Sequence, residues 1–294
     1  MLQLGTKAET LKKLYNKLGK AKVLESYSFT VAEWEKEPSD IWDKVREAIQ
    51  DDRLIVRSSA LNEDTNENSQ AGKFESVGDV CGEKAFFEAV HTVVSSFDDT
   101  NPDNQILVQP MLQSVKICGV AFTMDPSTMG NYYVINYDTT GSTSAITSGT
   151  GTENKLLYVF KGTNRSKRKL PEYIENLVFT LGELEKLFER KNLDVEFAVT
   201  EKEELYIFQV RPLCLKGTFI DEKVQEKALC RVEEKIIEEQ GKKPFLCGEN
   251  VVYSVMTDWN PAEMIGVRPK QLAMSLYREI ITDCIWAYQR DNYG

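Results

Sequence analysis

Two short apolar runs in the third quarter of the chain each carry a pair of polar side chains two residues apart. Asp194 and Glu196 belong to the first run, and Gln209 and Arg211 end the second, beyond a charged turn. Side chains two positions apart on a strand point to the same face, so a hairpin would bring the two pairs opposite each other. Two carboxylates, an amide oxygen and a guanidinium suit a magnesium ion and the phosphates of a nucleotide. The alternative is a surface hairpin with a cross-strand salt bridge, although the apolar neighbours favour burial and therefore a site.

Two further cations lie near the ends of predicted elements. Lys7 falls in the first turn of a helix whose start is marked by a Thr-x-x-Glu capping box, and a helix N-terminus attracts anions. Arg57 ends an apolar strand and is followed by two serines, so its guanidinium could bind phosphate oxygens. Taken alone, Lys7 is better explained as a solvated surface lysine. Arg57 is equally explained as a structural arginine paired with Glu63 or Asp64.

Hydrophobic periodicity predicts the elements that would position these residues. Helices are predicted over 6–19, 40–49, 86–97, 171–188, 221–243 and 271–289. Strands are predicted over 53–57, 106–111, 119–123, 132–137, 193–199 and 205–210. Strands and helices mixed in this order predict an α+β architecture of two lobes. The expected parts are a first lobe over 1–100, a second lobe with the hairpin over 101–215, and a charged, largely helical segment over 216–294 that begins a further domain.

Other residues with chemical potential have plainer interpretations. His91 is the only histidine and lies on the flank of a predicted helix, so a structural or half-exposed histidine is expected. The run 139–152 is almost all Gly, Ser and Thr, which predicts a mobile loop. It could close over phosphates but lacks the spacing of a Walker loop. The basic run 165–169 is expected to be a solvated loop.

Composition narrows the classes of partner. The 294 residues carry a formal net charge of -10, which argues against duplex nucleic acid or an anionic membrane, because both bind clustered Lys and Arg. No apolar run is long enough to span a bilayer, and the first residues lack the apolar core of a signal peptide. The 6 cysteines contain no CxxC pair, which fits neither a zinc site nor a disulfide scaffold. A cytoplasmic protein is expected.

Four sets of motifs follow one another between about residues 4 and 213. They are Leu4-Gly5-x-Lys7 with Leu11; Val56-Arg-Ser-Ser-Ala with Glu63-Asp64 and Ser69-x-Ala-Gly72; Val108-Gln109-x-Met111 with Gly119-Val-x-Phe-Thr-x-Asp125-Pro126; and Asp194-Val-Glu196-Phe-Ala with Gln209-Val-Arg211-Pro212. In order and approximate spacing they resemble the N-terminal ATP-binding domain of the phosphoenolpyruvate synthase and pyruvate phosphate dikinase family, an ATP-grasp fold. Four motifs in sequence are far more specific than one.

The resemblance implies a role for each matching position. Lys7, Arg57 and Arg211 match residues that hold the phosphates of ATP. These three are also the catalytic candidates. Those that match the metal ligands are Glu196 and Gln209, with Asp194 as an acid behind them. The positions that match a loop closing over the nucleotide are Gly72, Ser76 and Val77. Gln109 matches a position on the strand that borders the adenine pocket. The implied cofactors are ATP and Mg²⁺.

The chain departs from the family pattern in several places. Thr6 stands where a second glycine is usual, and Gly141-Ser-Thr-Ser stands where a Gly-Leu-Gly-Glu segment is usual. Family members carry phosphate on a histidine of a separate swivelling domain, and the Thr-Ser-His-Ala-like motif that contains it does not occur here. The chain also ends at Arg290-Asp-Asn-Tyr-Gly294, where the sequence shows no sign of a natural domain end. It is therefore expected to be a fragment that needs a missing phosphohistidine domain to phosphorylate an acceptor.

The last part of the chain resembles one subgroup of the family. Met256-Thr-Asp-Trp-Asn-Pro-Ala-Glu, with Ser275-Leu-Tyr-Arg-Glu, is similar to glutamine kinases of bacterial capsule synthesis. That resemblance implies L-glutamine as acceptor, phosphorylation of its side-chain amide nitrogen, and conversion of ATP to AMP and phosphate through a phosphohistidine. The alternatives are another acceptor (pyruvate or an antibiotic hydroxyl), a stand-alone ATP-grasp ligase that makes ADP through an acyl phosphate, and a non-catalytic nucleotide sensor.

Overall fold

The structure is a computed structural model that describes residues 2–61, 75–97, 101–139, 155–162, 169–215, 217–242 and 261–288. The chain divides into two compact units, Met1–Leu229 and Cys230–Gly294. The larger unit contains two β-sheets with helices packed against them. All the candidate site residues that are described belong to this larger unit.

The described strands of the larger unit form a six-stranded and a four-stranded sheet. The strands are β1 (Ala21–Lys22), β2 (Tyr27–Thr30), β3 (Leu54–Ser59), β4 (Ser76–Val80), β5 (Gln105–Pro110), β6 (Val115–Phe122), β7 (Tyr132–Asp138), β8 (Lys155–Phe160), β9 (Leu193–Thr200) and β10 (Leu205–Pro212). The order across the larger sheet is β1-β10-β9-β6-β7-β8, and across the smaller sheet β2-β5-β3-β4. β1 runs parallel to β10, whereas the other neighbours run antiparallel.

The helices alternate with these strands. They are α1 (Lys7–Leu14), α2 (Val31–Lys36), α3 (Pro38–Ala48), α4 (Gly82–Ser95), α5 (Glu172–Phe188), α6 (Glu222–Glu239), α7 (Pro261–Ile265) and α8 (Gln271–Tyr277). The predicted start of α1 is confirmed, since Thr6 and Glu9 form a reciprocal capping box. The helix ends at Leu14 rather than near residue 19, because Asn16 turns the chain with a positive φ of 57°.

One face of the smaller sheet packs against α3 and α4. Phe86 of α4 is fully buried there, and its ring centroid lies 5.9 Å from that of Trp34. Burying a phenylalanine side chain stabilises the fold by about 1.5–3 kcal/mol. Val56 of β3 belongs to the same core. Because side chains alternate along a strand, its neighbour Arg57 lies on the opposite face of this sheet.

One face of the larger sheet is covered by α1 and α5. Leu11 of α1, Leu181 of α5 and Val195 of β9 are all fully buried in one cluster. The apolar positions of β9 therefore point towards these two helices. Asp194 and Glu196 alternate with them and lie on the other face, as the sequence predicts.

The two sheets do not follow the lobe boundary expected at residue 100. β5 pairs with β2 and β3, so the smaller sheet extends to Pro110. α1 packs in the core of the larger sheet, and β1 forms its edge. The chain therefore starts in the second lobe, builds the first lobe, and returns at β6. The predicted α+β architecture of two lobes is confirmed, but α1 and β5 each belong to the other lobe from the one expected.

The division between the two units falls inside α6, whereas the boundary predicted from the sequence lies at residue 216. The reason is a contact at the beginning of α6. The side-chain oxygen of Gln225 accepts hydrogen bonds from the backbone N–H of Asn131 at 2.8 Å and from its side-chain nitrogen at 3.0 Å. These bonds hold the first turns of α6 to the larger unit, although none of its residues is buried.

The smaller unit contains α7, α8 and a π-helical turn at Arg278–Thr282. The single long helix predicted over 271–289 is therefore wrong. The interruption lies beside Asp283, whose carboxylate accepts bonds from the side chains of Thr282 at 2.8 Å and Arg278 at 2.9 Å. Such local bonds compete with the regular helical pattern. In the described part of the chain, no helix combines the length and the apolar character needed to cross a membrane.

Candidate functional site

The β9–β10 hairpin brings together the four residues predicted from their spacing. Glu196 lies opposite Gln209, and Asp194 lies opposite Arg211, in the antiparallel register of the two strands. Opposed residues of an antiparallel pair share one face, so all four side chains lie on the face away from α1 and α5. The pairing predicted from the sequence is confirmed.

This pairing depends on a β-bulge at Phe208, which was not predicted from the sequence. From the turn, Leu205 faces Val199 and Ile207 faces Phe197, so a regular ladder would place Phe208 opposite Glu196. The register instead shifts by one residue between positions 207 and 209. A signal was present in the sequence, because the aliphatic residues of β10 fall at 205, 207 and then 210, which breaks the alternation of two.

Arg211 and Asp194 form a buried salt bridge. The Arg211 Nη2 and Nε atoms lie 2.7 and 2.8 Å from the same Asp194 carboxylate oxygen, and both residues are 6% exposed. Burial raises the pKa of Asp194, and the charge of Arg211 opposes that rise. The other oxygen, Oδ1, has no hydrogen-bond partner within the described residues. The acid predicted behind the metal ligands therefore orients Arg211.

Arg57 reaches from the smaller sheet to the larger one. Its Nη2 atom lies 3.1 Å from Oε2 of Glu196, and Nη1 donates to the backbone oxygen of Phe208 at 3.4 Å. The guanidinium also lies over the Phe208 ring, 6.0 Å from its centroid. The bulge residue therefore supports Arg57 with both its carbonyl and its ring. The alternative partners Glu63 and Asp64 lie outside the described residues.

Several cations act on Glu196 at once. Burial raises the pKa of this carboxyl, but Arg57, Lys7 and Arg211 together outweigh burial and hold the pKa below its ordinary value. The side chain is still 20% exposed. Glu196 is therefore ionised at neutral pH and accessible to a ligand.

The start of α1 is fixed against the end of β3. The Lys7 ammonium lies 3.4 Å from the backbone oxygen of Ser58, and the backbone N–H of Ala8 donates to the Ser59 hydroxyl at 2.9 Å. Lys7 is only 5% exposed, which is not the solvated surface lysine of the alternative interpretation. Because the rest of α1 packs against the larger sheet, its first turn links the two lobes beside Arg57.

Gln109 shares the face of the smaller sheet that carries Arg57. It lies opposite Ile55, two residues before Arg57 on β3, and it is 1% exposed. Neither atom of its side-chain amide has a hydrogen-bond partner within the described residues. An unsatisfied buried amide costs about 1–3 kcal/mol, so a ligand that donates and accepts hydrogen bonds there would be stabilised. The edge of an adenine base has that character.

The structure does not confirm the loop over the nucleotide that the resemblance implies for three residues. Gly72 lies outside the described residues, as does the segment at Gly141. The expectation that Ser76 and Val77 lie in a loop is wrong, because they begin β4 and pair with Arg57 and Val56. Val77 packs against the core of the smaller sheet, so only Ser76 shares the face of Arg57.

The donor set fits a magnesium ion that is bound together with phosphates. Among the residues that the structure describes, no group of three or more His, Cys, Asp or Glu could hold a metal ion. Glu196 and Gln209 supply one carboxylate and one amide oxygen on adjacent strands. Magnesium is commonly bound by one or two protein oxygens, with phosphate oxygens and water completing the octahedron. The set does not fit a metal held by protein ligands alone.

His91 is a surface residue of α4, and its Nδ1 atom lies 3.1 Å from the hydroxyl of Ser95, one helical turn later. α4 packs on the face of the smaller sheet opposite Arg57. The described cysteines, at positions 81, 118, 214, 230 and 284, form no disulfide bond with one another. None of these residues takes part in the site.

Several known structures are similar to this chain at low sequence identity and with TM-scores below 0.5. The chain is similar to D-alanine–D-alanine ligases from Helicobacter pylori (16% identity, 76% of this chain, 55% of that chain, TM-score 0.38) and Coxiella burnetii (12%, 79%, 60%, 0.40). It is also similar to D-alanyl-alanine synthetase A from Vibrio cholerae (14%, 75%, 59%, 0.43). The chain spans only 55–60% of the length of these ligases, and the likeness concerns the fold alone.

The sequence itself supports a closer assignment. No curated protein sequence matches the chain. Residues 7–172, however, match the family described as pyruvate phosphate dikinase, AMP/ATP-binding domain, and this match covers more than half of the chain. It includes Lys7, Arg57 and Gln109, whereas the β9–β10 hairpin lies beyond it, after α5. This chain belongs to the family of the pyruvate phosphate dikinase AMP/ATP-binding domain.

Proposed function

We propose that the chain is the ATP-binding part of a phosphotransferase, and that it binds ATP with Mg²⁺ at the cluster of Arg57, Glu196, Gln209 and Arg211. The observation that most supports this is the contact between Arg57 and Glu196 at 3.1 Å. It joins a phosphate-binding cation of one sheet to a metal ligand of the other. When bound, ATP supplies an activated phosphoryl group and Mg²⁺ neutralises part of its charge.

The residues of the cluster have different tasks in this proposal. Arg57 and Arg211 present planar guanidinium groups that can bind two phosphate oxygens each. Lys7 adds a compact positive charge at the N-terminus of α1, where backbone N–H groups also favour an anion. Glu196 and Gln209 hold the metal. Gln109 contacts the base.

We further propose that L-glutamine is the acceptor, and that its side-chain amide nitrogen receives the phosphoryl group from a phosphohistidine on another domain of a longer cytoplasmic protein. The support is the resemblance of the segments at 256–263 and 275–279 to glutamine kinases. The position of His91 supports the other part of this proposal, the phosphohistidine on another domain. This sole histidine lies on α4, which covers the face of the smaller sheet opposite Arg57, so it is not placed to accept phosphate from the cluster.

Calorimetry and phosphorus NMR on the same sample test this proposal. Residues 1–294 should bind Mg²⁺ with AMP-PNP, a non-hydrolysable ATP analogue. The same sample with ATP and L-glutamine should form no phosphoglutamine. The longer protein should produce AMP and phosphate in a glutamine-dependent reaction, with pyruvate as the control acceptor. Formation of ADP would support a ligase instead, and steady phosphorylation by residues 1–294 alone would exclude the histidine relay.

A further inference from the structure

The ion pair between Arg57 and Glu196 places a cation on the carboxylate that the proposed function assigns to the metal. We propose that Arg57 is an internal counter-ion that keeps divalent metal ions off Glu196 until a polyphosphate engages Arg57. The nucleotide then binds before the metal or together with it, and never after it. This inference rests on the proposed function, because it takes the polyphosphate to be that of ATP.

The geometry shows that the pair is partly withdrawn from water. The Arg57 and Glu196 side chains are 12% and 20% exposed, and the guanidinium is also held by the backbone oxygen of Phe208. Partly desolvated ion pairs are screened less by water and salt than exposed pairs. A metal ion that approaches Glu196 from solvent therefore meets a carboxylate whose charge is already neutralised.

The charges around Glu196 reinforce this exclusion. Among the described residues that surround it, Lys7, Arg57 and Arg211 carry positive charge, whereas Asp194 and Glu196 carry negative charge. The sum is +3 - 2, or one net positive charge. A divalent cation is repelled by such a cluster, whereas a polyphosphate is attracted to it.

The ligands available to a bare metal are also few. Asp194 is committed to Arg211 through two short contacts, which leaves the Glu196 carboxylate and the Gln209 amide oxygen. Within the described residues there is no group of three or more metal-binding side chains. The phosphate oxygens must therefore supply part of the coordination that magnesium requires.

Arg57 has capacity for a second partner. Its Nε atom is buried and has no hydrogen-bond partner within the described residues. A phosphate that takes up Nε and one Nη atom would use the planar fork of the guanidinium. Glu196 would then lose its counter-ion and become available to the metal that accompanies the phosphate.

The test measures binding of Mn²⁺ alone, by electron paramagnetic resonance of the free ion, to residues 1–294. Wild type should bind Mn²⁺ weakly. Arg57→Met, which removes the charge and keeps much of the apolar stem, should bind it about tenfold or more tightly. Arg57→Met with Glu196→Gln should lose that gain. The matched control is Arg53→Met, at an exposed arginine paired with Asp79, which should resemble wild type.

A second measurement separates this inference from the proposed function. Calorimetry with AMP-PNP in EDTA should show binding to wild type without metal, and binding about tenfold weaker or worse to Arg57→Met. If AMP-PNP binds but wild type and Arg57→Met bind Mn²⁺ equally, the proposal that Arg57 is an internal counter-ion is wrong. The proposed ATP site is then unaffected. Tight Mn²⁺ binding by wild type alone has the same meaning, even if Arg57→Met fails to fold. If AMP-PNP does not bind with or without Mg²⁺, both proposals are overturned.

Discussion

In the proposed function, Arg57 and Arg211 bind the phosphates of the nucleotide from the two sheets. We expect Mg²⁺–ATP to raise the melting temperature of wild type with increasing concentration, because a ligand that binds only the folded state stabilises it. Arg57→Lys and Arg211→Lys should each show a smaller shift, since lysine keeps the charge but loses the planar fork. Thermal melts across an ATP titration measure this, with Arg53→Lys as the control. Equal shifts in all four proteins would show that these arginines do not bind phosphate.

A second residue-scale prediction concerns the buried thiol of Cys118 on β6. Burial, with a smaller effect of the charge on Asp138, raises its pKa from 9.0 to about 11. The folded state therefore keeps a proton that the unfolded state releases, so this contribution to stability is complete below pH 9 and is lost between pH 9 and 11. From pH 8 to pH 10, wild type should lose about 1 kcal/mol more unfolding free energy than Cys118→Ala. Urea unfolding at both values measures it.

The control for this prediction is Cys81→Ala, at an exposed thiol, which should follow wild type. A loss of stability that is the same in wild type and Cys118→Ala would contradict the prediction.

At this scale the sequence predicted residue types and faces better than contacts. Spacing of two along each strand was enough to place Asp194 with Glu196 and Gln209 with Arg211. It could not show that Arg57 bonds to Glu196, because that contact joins residues about 140 positions apart in different sheets. In the sequence, the bulge at Phe208 is marked only by one break in the alternation of inward and outward residues. The pattern of one strand does not distinguish such a break from the end of the strand.

At the scale of elements, Gly119 of β6 lies close against the backbone of β7. A Cβ atom there would lie 2.3 Å from the backbone oxygen of Asn136 and 2.9 Å from Cα of Tyr137, both on β7. Backbone atoms cannot move aside as a flexible side chain does. Gly119→Ala should therefore destabilise the protein by about 1–3 kcal/mol. Urea unfolding of the variant against wild type measures the cost.

Gly78→Ala on β4 is the matched control. Its nearest neighbour is the flexible side chain of Met111 at 3.4 Å, so the change in unfolding free energy should be small. Similar costs at both positions would show that loss of glycine itself, rather than the approach of β7, is responsible.

Long amphipathic elements were predicted with nearly correct bounds, and short or edge elements were missed. The stripes of α4 and α5 and the alternation of β9 are set by local sequence. β1 has only two residues and exists because it pairs in parallel with β10, which no local pattern reveals. The predicted helix over 271–289 failed for a local reason, the competing bonds of Asp283.

At the scale of the whole molecule, stability should differ sharply along the chain. Residues of β9 are mostly buried, whereas none of α6 is. Amides protected only by an exposed helix open by local fraying, and those of a central strand by global unfolding. Hydrogen exchange followed by mass spectrometry should show α6 exchanging about 100-fold or more faster than β9. Equal protection would mean that α6 is covered by contacts beyond those described.

The assignment of elements to lobes was the part of the fold that sequence order misled. An order of helices and strands suggests consecutive lobes, yet α1 joins the core of the larger sheet and β5 joins the smaller one. Both assignments depend on tertiary packing between distant segments. The family resemblance was correct over residues 7–172, because motif order carries information that periodicity alone does not.

The parallel pairing of β1 with β10 affects the order in which the parts of the protein fold. Ala21 pairs with Leu205, and Lys22 with Tyr206, so a strand made early on the ribosome must wait for one made near the end of the larger unit. The smaller sheet, whose strands all lie between Tyr27 and Pro110, can form meanwhile. Contacts between distant segments are formed late because closing a long loop costs entropy. Pulse-labelled exchange during refolding should find the amides of β3 and β5 protected before those of β1, and the reverse order would contradict this. α1, which carries Lys7 and packs in the same core as β10, is thus synthesised before the smaller sheet but should reach its final contacts after it.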